Sequence, residues 1–360
     1  MLPMASAGTA PLQNLAGLIG TVQRNCDISD ARHARDMTLC NYLLGMRELY
    51  RWEQDIALGQ PIAKDALGSW IARREARWSD LEDCPFRAMD VAGQRIDAFD
   101  PASINRSLIA HGLVYSGGLG IAGKPHFFLA QLLRREERNG ITVLVSGREY
   151  ARDLLAPPAS LRGDTIYLRQ DALRRWLSEK TEAWSVRRPD GALQAALDCY
   201  GFAGDAPAAL DEMVRREEET LILHEVGEAM AGIRLGPGWR AMLASLSSRR
   251  AEMLARAVRD NLADCLATLP ALIEGGATCS LHFYFSHLDG LRGSLFPCLS
   301  TAYALWRATG DAAALRDAVA AGRAHWEQVA RALLTSHDED SAAAQREMDA
   351  RAGEHGALAL

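Results

Sequence analysis

The sequence predicts a mainly α-helical protein with a small antiparallel β-sheet inserted between two helical regions, an α+β arrangement. Three observations carry that prediction. Apolar residues recur at helical spacing through much of residues 1–90 and again from 171 to about 335. Between about 91 and 170 glycine becomes frequent and the apolar runs shorten. Within that stretch Asn139-Gly140 separates two strand-like runs, and both residues tolerate the positive φ of a type I′ hairpin turn.

The elements follow in chain order. In "TLCNYLLGMRELYRWEQDIALG" the residues Leu39, Tyr42, Leu43, Met46, Leu49 and Tyr50 mark a helix that ends at Gly59 and Pro61. Glu53 falls on the next position of that apolar stripe, either as a carboxylate on the last turn paired with an arginine or as a buried acid of a site. "DALGSWIARREARWSDLED" is a second helix. "SGGLGIAG" lacks the G-K-[ST] ending of a phosphate loop and reads as a turn. "HFFLAQLLRREERNGITVLVSG" is the hairpin and "DTIYLR", 164–169, a further strand, so the sheet is expected near 110–170.

Beyond residue 170 the chain reads as helix. "QDALRRWLSEKTEAW" is one helix and "RRPDG", 187–191, a turn. A long helix opens near Asp205 and Pro207 and stops at Gly236-Pro237-Gly238. The next, "SSRRAEMLARAVRDNLADCLATLP", is expected to end at Pro270. "CSLHFYFSHLDG" is open between a short strand and a helix start, two helices follow to about 334, and the polar, Ala-rich tail 336–360 is expected to fray. The expected organisation is therefore a helical region 1–90, an α/β region 91–170, a helical domain 171–335 and a tail.

Composition narrows the function classes. With 360 residues, a formal charge of −6 and 48% hydrophobic residues, the chain is of ordinary globular type and is not expected to bind nucleic acid through a general basic face. Only Lys64, Lys124 and Lys180 of its 40 basic residues are lysine, which reads as a coding bias. The seven cysteines are scattered and never form C-x-x-C, so reduced thiols are expected rather than a disulfide framework or a zinc ribbon. No apolar run reaches the roughly 18 residues of a membrane span, and the N-terminus lacks the basic start and apolar block of a secretory signal. A cytoplasmic protein without membrane contact is the resulting expectation. There is also no G-x-S-x-G elbow, dinucleotide fingerprint or recognisable cysteine nucleophile.

One stretch carries more. In "LILHEVGEAM", 221–230, His224 and Glu228 stand one helical turn apart, with Glu225 directly after the histidine. At 100° per residue Ile222, Val226, Met230 and Ile233 form one side of the helix; His224, Glu228 and Glu217 lie opposite, on a face expected to meet solvent or a cleft. The following helix repeats the pattern, with Leu254, Val258, Leu262, Cys265 and Leu269 as its stripe and Asp260 and Asp264 together on the other face. In an antiparallel pair, His224 ten residues before Arg234 and Asp260 twelve after Ser248 come level within about a turn.

Over about ten residues this stretch resembles the zinc-binding helix of zincin metallopeptidases, in His224, Glu225 and the spacing, with Glu228 where the second histidine stands. The resemblance implies that His224 and Glu228 ligate Zn²⁺, that a third ligand comes from the downstream helix, at Asp260 or Asp264, and that Glu225 is the general base toward the metal-bound water. Three expectations follow. The first is a metal-dependent hydrolase with zinc. The second is a redox-active iron or manganese site in a helical bundle, using the same residues and a histidine from His282 or His287. The third is a non-catalytic interaction protein whose two polar faces are solvated, with Asp260 and Asp264 paired to Arg256 and Arg259. His282 and His287 are five apart and share no helix face, and a histidine among aromatics also fits a hydrogen-bonded core residue.

Overall fold

Side-chain caps set where many of the helices begin. The computed structural model describes residues 14–120, 123–187, 189–353 and 358–360. The chain divides into two compact units, one of Met1–Glu136, Thr142–Arg162 and Tyr167–Ser178, the other of Glu137–Ile141, Gly163–Ile166 and Glu179–Leu360. The expected α+β class is found.

In the first unit α1 (Leu15–His33) is capped by the Asn14 side chain, α2 (Leu39–Glu53) by Thr38, and α3 (Lys64–Ser79) follows. A short antiparallel ribbon, β1 (Met89–Val91) with β2 (Gln94–Ile96), precedes α4 (Pro101–Leu108). Then β3 (Leu113–Leu119), β4 (Pro125–Arg138), β5 (Ile141–Arg152), β6 (Ala159–Arg162) and β7 (Thr165–Arg169) form a sheet of order β3-β4-β5-β7-β6. Asn139 and Gly140 turn the β4–β5 hairpin with φ of 53° and 79°, as the type I′ expectation requires.

Through β3, the first half of β4 and most of β5 the sheet is buried on both faces, so these stretches read as apolar runs rather than as alternation. Tyr115, Phe127 and Leu129 pack on one side with Leu18 and Val22 of α1 and Ile104 and Leu108 of α4. Val114, Phe128, Ala130, Leu144 and Tyr167 form the cluster on the other. A third cluster ties Ile28 of α1 to Met46 and Leu49 of α2 and Trp70 and Trp78 of α3. The turn expected at "SGGLGIAG" is corrected: Ser116–Leu119 belong to β3, in register with Phe128, Phe127, His126 and Pro125, and a side chain at Gly117 would overlap the Ala98 carbonyl. Residues 121 and 122 lie outside the described residues. Glu53 takes the first of its two expected roles: it accepts hydrogen bonds from Arg74 and from Trp70 Nε1, the latter at 3.3 Å.

Apart from the strand ends it includes, the second unit is helical. After α5 (Gln170–Arg187) come α6 (Ala192–Tyr200) and α7 (Ala206–Leu235). Asp205 caps α7 through a 3.1 Å bond to the Ala208 N–H, Pro207 sits in its first turn and Gly236 closes it, as expected. There follow α8 (Pro237–Ser245), α9 (Arg249–Ala263), a π-helical turn (Asp264–Thr268), α10 (Leu269–Glu274), α11 (Thr278–His287), α12 (Gly290–Leu295), α13 (Pro297–Thr309), α14 (Ala313–Glu339) and α15 (Ser341–Gly353). Their core joins Leu254, Val258 and Leu262 of α9 to Trp239, Leu269, Phe296, Leu299, Leu315 and Trp326.

Several expectations are overturned in this unit. The helix from Arg249 does not end at Pro270. The chain widens into the π turn, where the Leu269 N–H donates to the Asp264 carbonyl five residues back, and the wider turn accommodates the proline's missing donor. The tail does not fray. Residues 341–353 form α15, which buries Ala344 and Met348, and Leu360 exchanges 3.0 Å backbone bonds with Leu295 and Cys298; residues 354–357 lie outside the described residues. Nor are all cysteines reduced: Cys199 and Cys279, 80 residues apart, form a disulfide with Cα atoms 5.4 Å apart. Tertiary proximity made that pair, and no spacing in the sequence encodes it. Among the described residues no helix is long and apolar enough to cross a membrane.

Candidate metal centre

Gly227 of α7 lies against Ala263 of α9, and a Cβ on Gly227 would overlap the Ala263 carbonyl. This close approach of two backbones sets His224 and Glu228, one turn apart on α7, beside Asp260 on α9 and Asp264 just after it. His224, Glu228 and Asp260 each offer a ligand atom, and these atoms all lie within 4.8 Å of one another. His224 Nε2 stands 3.5 Å from Glu228 Oε1. All three side chains are partly buried.

Asp264, the other expected ligand, is not part of that group. It is buried behind the imidazole, where its Oδ1 accepts from His224 Nδ1 at 2.7 Å and from Thr268 Oγ1 at 2.9 Å. Its Oδ2 accepts from the Tyr284 hydroxyl at 2.9 Å and from Arg292. Four donors therefore occupy its two oxygens. The Asp264 N–H still bonds the Asp260 carbonyl, so the residue stands one α-helical turn beyond Asp260, and its four donors hold the carboxylate behind the ring. A carboxylate on Nδ1 fixes the ring and leaves Nε2 toward Glu228, the relation that supports metal-bound histidines.

Of the two surroundings expected for this face, bulk solvent is the one not found: α7 buries Glu217, Glu218 and Glu225 as well as Ile222 and Val226, whereas Ile233 of the expected apolar stripe is 79% exposed. The long helix is enclosed on nearly all sides along this stretch, which a single-helix phase argument does not detect. Of the pairings expected for solvated faces, Arg256 holds Glu252 at 2.7 Å instead of an aspartate. Arg259 does pair with Asp260, at 2.9 Å, and with the same nitrogen reaches Glu228 Oε1 at 2.5 Å.

The electrostatics follow from these contacts. Burial opposes a charge on His224, but Asp264 and Glu228 outweigh it and hold the imidazole well above its usual pKa. Burial likewise opposes the charge on Glu228, yet Arg259 and His224 bring it down to about 2. For Asp264 the same opposition is overcome by Arg292 and His224, again to about 2. Glu225 is the exception. It is buried, has no side-chain hydrogen bond or ion pair among the described residues, and is pushed up to about 8, first by burial and then by the neighbouring Glu228. A proton-carrying acid thus sits next to three converging ligand atoms.

Neither expected accessory histidine joins them. "CSLHFYFSHLDG" resolves as helix α11; His282 Nδ1 meets the Tyr303 hydroxyl at 2.9 Å, and His287 Nδ1 meets the Phe283 carbonyl at 3.0 Å and Ser286. Burial lowers the pKa of both, His287 to about 4. Sequence reasoning missed Arg292, Tyr284 and Thr268 as the residues that hold Asp264. Thr268 alone left a trace, at i+4 from Asp264 on the same run of helix.

The model of the N-terminal domain of a family of unknown function, DUF6866, matches residues 17–169, and the model of that family's C-terminal domain matches residues 174–355. No curated protein and no solved structure matches the chain.

Proposed function

The chain belongs to the DUF6866 family, whose function is unknown, and we propose that its C-terminal half is a metal-dependent hydrolase that holds zinc through His224, Glu228 and Asp260, with Glu225 as its proton acceptor. The observation that carries this reading is the convergence of one imidazole and two carboxylates within 4.8 Å, with the ring fixed from behind by Asp264. One nitrogen and two oxygens are a donor set that zinc accepts, with a further position for substrate. Zinc bound there would supply a Lewis acid to polarise a carbonyl or phosphoryl oxygen.

The chain's own residues would do the rest. Asp264 keeps Nε2 facing Glu228. With a cation held at Nε2, the added positive charge would favour the ionised form of Glu225, which would then be able to take a proton from an attacking water. An iron or manganese redox centre would call for additional ligands, and His282 and His287 are engaged elsewhere.

Arg259 favours a second reading. Its guanidinium already bridges Glu228 and Asp260, so the network also fits a metal-free ionic lock between α7 and α9 in a non-catalytic interaction protein. Metal analysis of the purified chain separates the two. The hydrolase reading expects about one zinc per chain and a thermal shift on zinc addition, both lost in His224→Ala. It expects Glu225→Gln to keep the zinc and to lose turnover on a panel of peptides and esters. No bound metal, and no shift with any dication, leaves the ionic lock.

A further inference from the structure

We propose that the Cys199–Cys279 disulfide is a reducible clamp, opened by a dithiol, whose opening loosens the helices that support the His224 centre. Cys199, near the C-terminal end of α6, is exposed; Cys279, the second residue of α11, is partly so. Both line an open recess of about 260 Å³ with Glu212, Arg216, Gly276 and Thr278, so a thiol can reach the bond from solvent. Of the five free cysteines, Cys26 and Cys265 are buried.

The residue after each cysteine ties the clamp to the site helix. Tyr200 donates to Glu217 Oε1 at 2.5 Å, and Ser280 Oγ lies 3.2 Å from the Tyr200 hydroxyl. Glu217 is buried on α7, two turns before His224, and among the described residues its Oε2 has no hydrogen-bond partner. Further along α11, Tyr284 donates to Asp264, the carboxylate that fixes the imidazole. The disulfide therefore binds α6, whose Tyr200 reaches Glu217, to α11, whose Tyr284 reaches Asp264.

The exchange chemistry is directional. A dithiol's thiolate attacks the exposed Cys199 sulfur, the S–S bond breaks, and Cys279 leaves as a thiolate in the first turn of α11, where the helix dipole favours negative charge. The second thiol of the reductant then attacks its own sulfur in the mixed disulfide, forms the reductant's disulfide and releases Cys199. Two electrons and two protons pass from the dithiol to the cysteines.

The coupling to zinc rests on the hydrolase reading; the clamp itself does not. The test uses the full-length oxidised protein before and after dithiothreitol without denaturant, with Cys199→Ser as a permanently open variant. Thiol titration after denaturation is expected to rise from five to seven per chain. Reduction is expected to lower the melting temperature by roughly 5–15 °C and to raise the zinc dissociation constant about tenfold. Cys199→Ser should show the reduced values with or without dithiothreitol, and if it does not fold, the wild-type pair carries the comparison. A bond that opens only in denaturant, or a reduced chain with the oxidised melting temperature, overturns the clamp. Equal zinc affinity in the two states overturns its coupling to the site. Zinc binding in neither state overturns the hydrolase reading and leaves the thiol and melting results to judge the clamp.

Discussion

Glu149 of the first unit and Glu225 of the second are both buried glutamates, and they stand in opposite protonation states. Glu149 meets Arg169 at 2.7 Å, Arg175 at 2.5 Å and Arg152 at 3.8 Å; burial opposes its ionisation, and the three guanidiniums still bring it down to about 2. Among the described residues Glu225 meets no cation directly, and it is pushed up to about 8. Elsewhere in the first unit Asp27 is gripped by Arg74 at 2.9 Å and Arg77 at 2.8 Å, and Asp30 meets Lys124 at 2.8 Å, although burial still pushes Asp30 up to about 6. Buried charge by itself therefore marks no site in this molecule. What sets the His224 cluster apart is one acid without a partner among the described residues, beside ligand atoms that converge.

The comparison breaks most sharply at Glu149. Glu149→Ala strands three arginines in the interior and is expected to cost about 3–5 kcal/mol in urea unfolding, without altering zinc binding. A loss below about 1 kcal/mol would show that the arginines are not held by this carboxylate.

Next in size is the pH dependence, which has opposite signs in the two units. Glu225, with its folded pKa raised from 4.5 to about 8, contributes stability that is present below 4.5 and lost as pH rises through 8. Glu149, lowered from 4.5 to about 2, contributes stability present above 4.5 and lost as pH falls toward 2. Glu225→Gln should accordingly remove a few kcal/mol of the metal-free protein's decline between pH 5 and 8 and leave the acid limb alone. An unchanged alkaline slope means that Glu225 has a partner in solution.

Gly227→Ala forces α7 away from the Ala263 carbonyl, with an expected cost of about 1–3 kcal/mol and loss of the zinc-dependent thermal shift. Normal zinc binding in that variant would show that the ligand geometry does not depend on the close approach. Smallest of all, Arg351→Ala removes a partly exposed i,i+4 pair with Glu347 and should change stability by no more than about 0.5 kcal/mol.

Much of the site was legible because it is local. His224, Glu225 and Glu228 follow from spacing on one helix, and the level of Asp260 follows from the rise of two antiparallel helices. Asp264 was read as a possible ligand because it does stand one turn beyond Asp260, but its carboxylate is taken by His224 Nδ1, Thr268, Tyr284 and Arg292, a set of donors that one helix's phase does not reveal. Arg292 and Tyr284 reach Asp264 from 28 and 20 residues away, through helices whose order in space the sequence does not encode. The buried tail helix was misread because Ala344 and Met348, its buried contacts, look unremarkable among polar neighbours.

By itself the sequence determined the α+β class, the Asn139-Gly140 hairpin, the bounds of the helix from Asp205 to Gly236 and the pairing of His224 with Glu228, since each depends on periodicity, caps or turn chemistry within a few residues. Only the tertiary structure decided that the polar face of α7 is enclosed, that Asp264 stands behind the imidazole and that Cys199 meets Cys279. These depend on which surfaces pack together, and packing is settled by burial across the whole unit rather than by neighbours along the chain.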